Sequence, residues 1–230
     1  MCFPSKQYRL NKGFCRPRLK QCLVVKFAVL FDFRLLRVAE NQCRASVAAA
    51  MARDRRGASA IEFGLTGIRR TPVGTKAFLE QLERHLLLVY LGKPRFSGAN
   101  NWELFKRHIE GNQKTVALFE ALKENAISMR NAFLNQDVAR IADLLNRDWE
   151  IRRRALPAMS SPAIDRLIRA LRRAGAIGAR VCGAGGGGCL ALLIEPKARV
   201  RLGEIAASAG ARTLPCSINM RGLVVRRLKH

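Results

Sequence analysis

The sequence predicts an α+β fold in which helices pack on a mostly antiparallel, ferredoxin-like sheet, and three observations support this. First, apolar residues recur every three or four positions across residues 116–171, which is typical of helices with one buried face. Second, short apolar runs at residues 86–91 and 189–194 have the length of buried strands. Third, the order strand, three helices, two strands, helix, two strands favours one helical layer on one sheet.

The first elements of this fold are a helix and a strand that follow each other directly. Ala77–His85 is predicted as a short helix and Leu86–Leu91 as the first buried strand. A turn-rich loop then runs from Gly92 to Asn100. We expect Asn100 to cap the next helix, with Glu103 at the capping-box position three residues later.

The three central helices are predicted from their apolar faces and their ends. One spans residues 101–135, where Gly111 marks a kink or break, and the second begins near Val138. The third begins after the cap residue Ser161 and ends at Gly175. The predicted buried faces consist of Val116, Phe119, Leu122, Ala126, Met129 and Phe133, then Val138, Ile141, Leu144, Leu145 and Trp149, then Ile164, Leu167, Ile168 and Leu171.

The last part of the chain completes the predicted sheet. Strands are expected near residues 178–182 and 189–194, with a glycine run between them. A helix near residues 197–209 and strands near residues 212–217 and 222–226 follow.

The distribution of charge divides the chain at Gly74. The 230 residues have a formal net charge of +25, of which residues 1–74 contribute +11 and residues 75–230 contribute +14. The first part, basic and largely aperiodic, is predicted to be an N-terminal extension that is disordered or non-homologous, and the second part to be the domain. Such a charge indicates an anionic partner, but a solvated basic surface is the simpler interpretation of it.

Cysteine usage indicates a reducing compartment. The chain has seven cysteines, an odd number with no CxxC pair, and its three histidines follow no zinc-ligand spacing. Unpaired thiols are typical of the cytoplasm, where we expect the protein to be located. No apolar stretch reaches the length of about 18 residues that a membrane helix requires, so no membrane partner is expected.

The most specific local feature is a run of five glycines and one alanine between two predicted strands. Glycine permits close backbone approach, so successive N–H groups can converge on an anion. A dinucleotide-binding loop is disfavoured because a strand follows instead of a helix, and a phosphate loop of the Walker type lacks its Gly-Lys-Ser/Thr ending. A flexible hairpin connection stays open as the alternative. The run consists of Gly183, Ala184, Gly185, Gly186, Gly187 and Gly188.

Several motifs together resemble one family. Residues 178–190 (GARVCGAGGGGCL) are similar to the third, C-terminal motif of the GHMP small-molecule kinases. Within that family, residues 87–98 (LLVYLGKPRFSG), 100–103 (NNWE), 106–112 (KRHIEGN) and 161–165 (SPAID) most resemble the kinases of D-glycero-D-manno-heptose 7-phosphate. The resemblance covers roughly residues 76–226, with the motifs in the same order.

The resemblance implies an ATP-dependent phosphotransferase that uses magnesium and transfers the γ-phosphate to a sugar hydroxyl. The glycine run would then lie against the nucleotide phosphates. Lys93 and Arg95 would suit a phosphorylated sugar because charge-assisted hydrogen bonds to phosphate are strong. Ordinary surface cations on a loop are the alternative for both residues.

The sequence also departs from the family. The first motif and the second, a Gly-Leu-Gly-Ser-Ser loop, are absent, and no catalytic residue or metal ligand is assigned within the chain. Phosphoryl transfer depends on positioned phosphates, metal and charge stabilisation. We therefore expect a truncated kinase that is inactive alone, or one that pairs with a separately encoded N-terminal half. The lysine that often precedes the third motif is matched by Arg180.

A second hypothesis comes from another functional class. The chain would be a non-catalytic module that binds anions or nucleic acid through its basic surface. We expect nucleic acid less than ATP and a sugar phosphate, because no aromatic pattern of an RNA-binding motif accompanies the charge.

Overall fold

A computed structural model describes residues 24–25, 57–64, 67–92, 104, 106–182 and 186–220 of the chain. Predictions for residues 93–103, 183–185 and 221–230 lie outside these described residues, including the cap at Asn100 and the strand near residues 222–226. Among the described residues, no helix combines the length and apolar character needed to cross a membrane.

The larger sheet has four strands and is antiparallel throughout. Its strands are β4 (Leu86–Tyr90), β5 (Ala176–Val181), β6 (Cys189–Ile194) and β7 (Arg212–Leu214), in the spatial order β5-β6-β4-β7. Counted along the chain, this order is 2-3-1-4, with the first strand between the third and the fourth. It is the ferredoxin-like arrangement, so the predicted α+β fold class is confirmed.

Five helices with defined bounds accompany these strands, and residues 106–109 are helical as well. The third-helix prediction is confirmed in detail, because the Ser161 hydroxyl accepts a hydrogen bond from the N–H of Ile164 and Gly175 adopts a φ of 115°. The predicted break at Gly111 is also confirmed, since Asn112 there caps a new helix. The helices are α1 (Lys76–His85), α2 (Gln113–Leu134), α3 (Val138–Ala155), α4 (Pro162–Arg173) and α5 (Arg199–Ser208).

Two hydrophobic clusters contain the buried side chains of the sheet and its helices. Alternate residues of β4 belong to different clusters: Leu87 and Val89 join one, and Leu86 joins the other. The first cluster includes α4 and α5, the second includes α1 and α2, and α3 contributes to both. Trp149 and Phe133 are among the largest fully buried side chains of the two clusters.

A second, smaller sheet consists of β1 (Val24–Val25), β2 (Ala58–Gly64) and β3 (Gly67–Val73). Ala60 and Val73 from this sheet are buried in the same cluster as α1 and α2. Ala60 of β2 and Val73 of β3 thus pack with the helices that follow them, although the sequence pattern did not indicate a folded hairpin there. The division of the chain into domains at residue 74 stays a prediction.

Candidate functional site

The candidate site is the connection between β5 and β6, where the glycine run lies. We call Cys182 together with Gly186–Cys189 the neck of this loop. The φ angles of Gly186, Gly187 and Gly188 are 73°, 154° and 80°, in the region that side-chain-bearing residues rarely adopt. The conformation of the neck therefore requires glycine at these positions.

Backbone hydrogen bonds fix the neck to two other elements. Gly186 donates its N–H to the carbonyl of Met159 at 2.7 Å, and Met159 ends a 3-10 turn before α4. Gly188 donates to the carbonyl of Gly92 at 3.2 Å and accepts from the N–H of Leu91 at 2.7 Å. The neck is thereby held between the end of β4 and the start of α4.

These hydrogen bonds bear on the predicted anion site. Two N–H groups of the neck, those of Gly186 and Gly188, already have protein acceptors, whereas the N–H of Gly187 has none among the described residues. Convergence of the loop N–H groups on an anion stays a prediction. Gly183, Ala184 and Gly185 lie outside the described residues, as do the two predicted sugar-phosphate ligands, Lys93 and Arg95.

A cluster of two arginines and one aspartate lies beside the neck. Asp148 of α3 accepts two hydrogen bonds from Arg152, at 2.8 and 3.2 Å, and lies 3.1 Å from Nε of Arg180. Burial lowers the pKa of the Arg180 guanidinium, and the carboxylate of Asp148 opposes this effect. With two guanidiniums and one carboxylate, this arginine cluster has an excess positive charge only two residues before Cys182.

Sequence reasoning identified Arg180 as a cation but missed the partner that holds it. The pair of Asp148 and Arg152 was visible in the sequence as two opposite charges four residues apart on a helix. Nothing local indicated that Arg180, 32 positions further along, lies against the same carboxylate.

An open groove of about 360 Å³ lies between the end of α3 and the start of α4. Its charges are largely paired: Asp165 accepts a hydrogen bond from the Ser160 hydroxyl at 2.7 Å and lies 3.6 Å from Arg153. The hydrogen bond from Arg153 to Glu150 raises the pKa of that guanidinium. The groove is lined by Arg153, Arg154, Pro157, Ser160, Ser161, Pro162 and Asp165.

A metal site does not emerge from the described residues. They contain no group of three or more His, Cys, Asp or Glu side chains that could hold an ion. His85 instead makes a structural contact, with its Nδ1 lying 2.9 Å from the carbonyl oxygen of Ile194.

Part of this fold is similar to a known protein family. The family model described as "GHMP kinases C terminal" matches residues 129–210, which run from the last turns of α2 to just beyond the end of α5. The resemblance to this family that was inferred from the motifs is thereby confirmed.

Two curated relatives are similar to about half of the chain. D-glycero-alpha-D-manno-heptose 7-phosphate kinase of Campylobacter jejuni is 25% identical over 122 residues, which are 53% of this chain and 35% of that protein. Bifunctional fucokinase/GDP-fucose pyrophosphorylase of Arabidopsis thaliana is 26% identical over 117 residues, which are 51% of this chain and 11% of that protein. The chain thus corresponds to a minor part of either relative.

Solved structures show the same fold. The galactokinase of Lactococcus lactis, solved with galactose, superposes with a TM-score of 0.53 at 16% identity. The superposition covers 73% of this chain and 52% of the galactokinase chain. At this identity the likeness concerns the fold.

Proposed function

We propose that this domain is the C-terminal lobe of an ATP-dependent sugar kinase whose acceptor is a sugar phosphate of the heptose 7-phosphate type. The single observation that carries the proposal is the glycine neck, which requires glycine at three successive positions and is fixed at both ends. A loop fixed in this way presents backbone N–H groups to an anion with little reorganisation.

Each part of the loop region has a distinct proposed task. The N–H of Gly187 and the preceding residues of the loop would contact nucleotide phosphates, while the hydrogen bonds of Gly186 and Gly188 keep the base of the loop in place. Lys93 and Arg95 would bind the phosphate of the sugar. ATP would supply the phosphoryl group that is transferred to the sugar hydroxyl.

We further propose that the 230-residue chain alone is a poor catalyst. Its sequence has no counterpart of the first and second motifs of the family. Activity would then need an N-terminal half encoded separately, with which the chain would act in the cytoplasm.

Nucleotide binding tests the proposal most directly. A fluorescent ATP analogue is titrated into the full chain, into Gly188→Ala and into Gly210→Ala. Both glycines have similar φ angles, 80° and 74°, so the two variants carry similar backbone strain, but only Gly188 lies in the neck. A side-chain-bearing residue in this backbone region costs about 1–2 kcal/mol. If about 1 kcal/mol of this strain opposes binding, Gly188→Ala should weaken the affinity for the ATP analogue at least about fivefold. Gly210→Ala should bind like the unchanged chain, and equal affinity of both variants would overturn the role of the neck.

The sugar site is tested with a double variant. Lys93→Ala/Arg95→Ala should lose binding of heptose 7-phosphate, measured by calorimetry. The control Lys197→Ala/Arg201→Ala removes the same charge from exposed positions in and beside α5 and should bind the sugar normally. Loss of binding in both variants would indicate a general charge effect, and unaltered binding in the first would exclude the assigned ligands.

A turnover assay tests whether the chain is catalytically active by itself. The purified chain with ATP, magnesium and heptose 7-phosphate should give no phosphorylated product above background. Rapid turnover would contradict the proposed dependence on a separate half, while leaving the kinase assignment intact.

The second candidate function is binding of nucleic acid without catalysis. The observation that favours it is the row of arginines on α4, because Arg166, Arg169 and Arg173 are exposed and spaced along one face. Binding of a duplex with an affinity that falls steeply with salt, together with no binding of the ATP analogue, would favour this function.

A further inference from the structure

Two cysteines face each other where the glycine loop begins and ends. The N–H of Cys182 donates to the carbonyl of Cys189 at 2.7 Å, which extends the β5–β6 pairing by one position beyond Val181 and Leu190. Residues directly opposite in an antiparallel pair have side chains on the same face of the sheet. Both cysteines are free thiols and partly exposed.

The backbone geometry suits a bond between these two sulfurs. Hydrogen-bonded partners in antiparallel strands have a Cα–Cα separation of about 5.5 Å. Disulfides span Cα–Cα separations of roughly 4.4–6.8 Å. A disulfide also needs Cβ atoms closer together than most cross-strand pairs, so its formation requires a small shift of the two strand ends toward each other.

We propose that Cys182 and Cys189 form a thiol–disulfide modification site that covalently closes the base of the glycine loop. A disulfide oxidant such as oxidised glutathione supplies the chemistry. The thiolate of one cysteine attacks a sulfur of the oxidant, breaking its S–S bond and releasing one glutathione thiolate. The second cysteine thiolate attacks the mixed disulfide and releases the second glutathione thiolate. The protein loses two electrons and two protons, and two glutathione thiols form.

The surroundings of the thiols set the conditions under which the bond forms. Burial raises the pKa of both thiols, and the proximity of Cys189 further raises that of Cys182, while Arg180 acts in the opposite direction. The attacking species is the thiolate, so oxidation should be slow near neutral pH and faster in mildly alkaline solution. A reducing compartment keeps both cysteines as thiols, and oxidative conditions convert them to the disulfide.

The consequence for the loop is a loss of freedom. A disulfide across the neck would hold residues 183–188 in a small closed ring, so the loop could sample fewer conformations. The effect on nucleotide binding rests on the proposed function, whereas formation of the bond does not.

Peptide mass spectrometry tests the proposal on the full chain. The reduced protein is treated with oxidised glutathione at alkaline pH, free thiols are blocked, and trypsin is added. Cleavage after Arg180 and Lys197 releases residues 181–197, a peptide that contains both cysteines and no other. We expect this peptide to have lost two hydrogen atoms and to regain them with dithiothreitol.

Two variants serve as controls. Cys189→Ser should leave a glutathione adduct on Cys182 instead of the internal bond, whereas Cys216→Ser should form the bond normally, because that free thiol follows β7. The proposal is overturned by a peptide that stays reduced, by one that carries two glutathione adducts, or by a link from either cysteine to another part of the chain.

Hydrogen exchange provides an independent readout of closure. Amides of residues 183–188 should exchange more slowly in the oxidised protein and recover after reduction, and unchanged exchange would contradict a covalent lock on the loop. If the disulfide forms but the ATP analogue binds neither form, the proposed function fails and this inference stands.

Discussion

Gly178 of β5 offers the sharpest test of how the sheet is positioned against α3. A Cβ atom at this position would lie 3.0 Å from the Cα of Ala142, 3.1 Å from its carbonyl oxygen and 3.2 Å from its Cβ. Two of these atoms belong to the helix backbone, so no side-chain rotation can relieve the contact. The substitution Gly178→Ala must therefore push α3 away from the strand that leads to the glycine neck.

The expected magnitude follows from two opposing effects. Overpacking a well-packed site costs about 1–3 kcal/mol. Replacing glycine by alanine also reduces the conformational entropy of the unfolded chain, which stabilises the folded state by roughly 0.4–1 kcal/mol. We expect a net loss of about 1–2 kcal/mol in the free energy of unfolding. For a chain of this size, each kcal/mol corresponds to a fall of about 2–4 °C in Tm.

The assay is urea unfolding followed by far-ultraviolet circular dichroism, with Gly203→Ala as the matched control. Gly203 lies within α5, and a Cβ there would meet only Cγ2 of Thr213 at an ordinary 3.6 Å. In a helix, alanine is about 1 kcal/mol more favourable than glycine, so the control should gain stability. If Gly178→Ala is as stable as the unchanged chain while Gly203→Ala gains stability, the close approach of α3 is wrong.

Three further perturbations have defined outcomes. Glu62→Gln removes the partly buried ion pair of 2.6 Å with Arg130 and should lower stability by about 1 kcal/mol, whereas Glu80→Gln, which breaks an exposed pair, should change little in the same urea titration. Ser161→Ala removes the cap of α4 and should destabilise the chain by about 1 kcal/mol, detectable as a lower Tm; an unchanged Tm would argue against the cap. Burial raises the pKa of the Cys182 thiol, so the folded state favours the neutral thiol. This preference leaves stability intact below a pH of about 8.5, and stability is lost as the pH rises through the folded-state pKa of the thiol. Under reducing conditions, Cys182→Ala should therefore lose less stability than the unchanged chain between pH 8 and pH 10, and equal losses would contradict this assignment.

The helices and the central strands could be predicted because their signals are local. A cap, a stop residue and a repeat of apolar positions all lie within a few residues of the helix they define, as Ser161 and Gly175 illustrate. The strands β4 and β6 were visible as continuous apolar runs because both faces of this sheet are covered. The location of the glycine loop between two strands followed from the same reasoning.

The β2–β3 hairpin of the smaller sheet was not predicted because its stability comes largely from contacts with distant parts of the chain. Along β2 and β3, only Ala60 and Val73 are deeply buried among the side chains that the structure describes, so the pattern of a half-buried strand is weak. The hairpin is held by α1 and α2, and its strongest polar contact joins Glu62 to Arg130, 68 positions away. Contacts at such separations leave no trace in a single sequence.

The described part of the candidate site is fixed by backbone hydrogen bonds. The N–H groups of Gly186 and Gly188 already have protein acceptors, so an anion at the proposed site would need other N–H groups of the loop. The arginine cluster adds a second contribution, since Asp148 neutralises only one of the two guanidiniums of Arg152 and Arg180. A charge in a partly buried position is less screened than one at the surface, so its field reaches the adjacent loop. The neck thus combines a fixed backbone with a nearby excess of positive charge, and the proposed anionic ligand is of a kind that both properties favour.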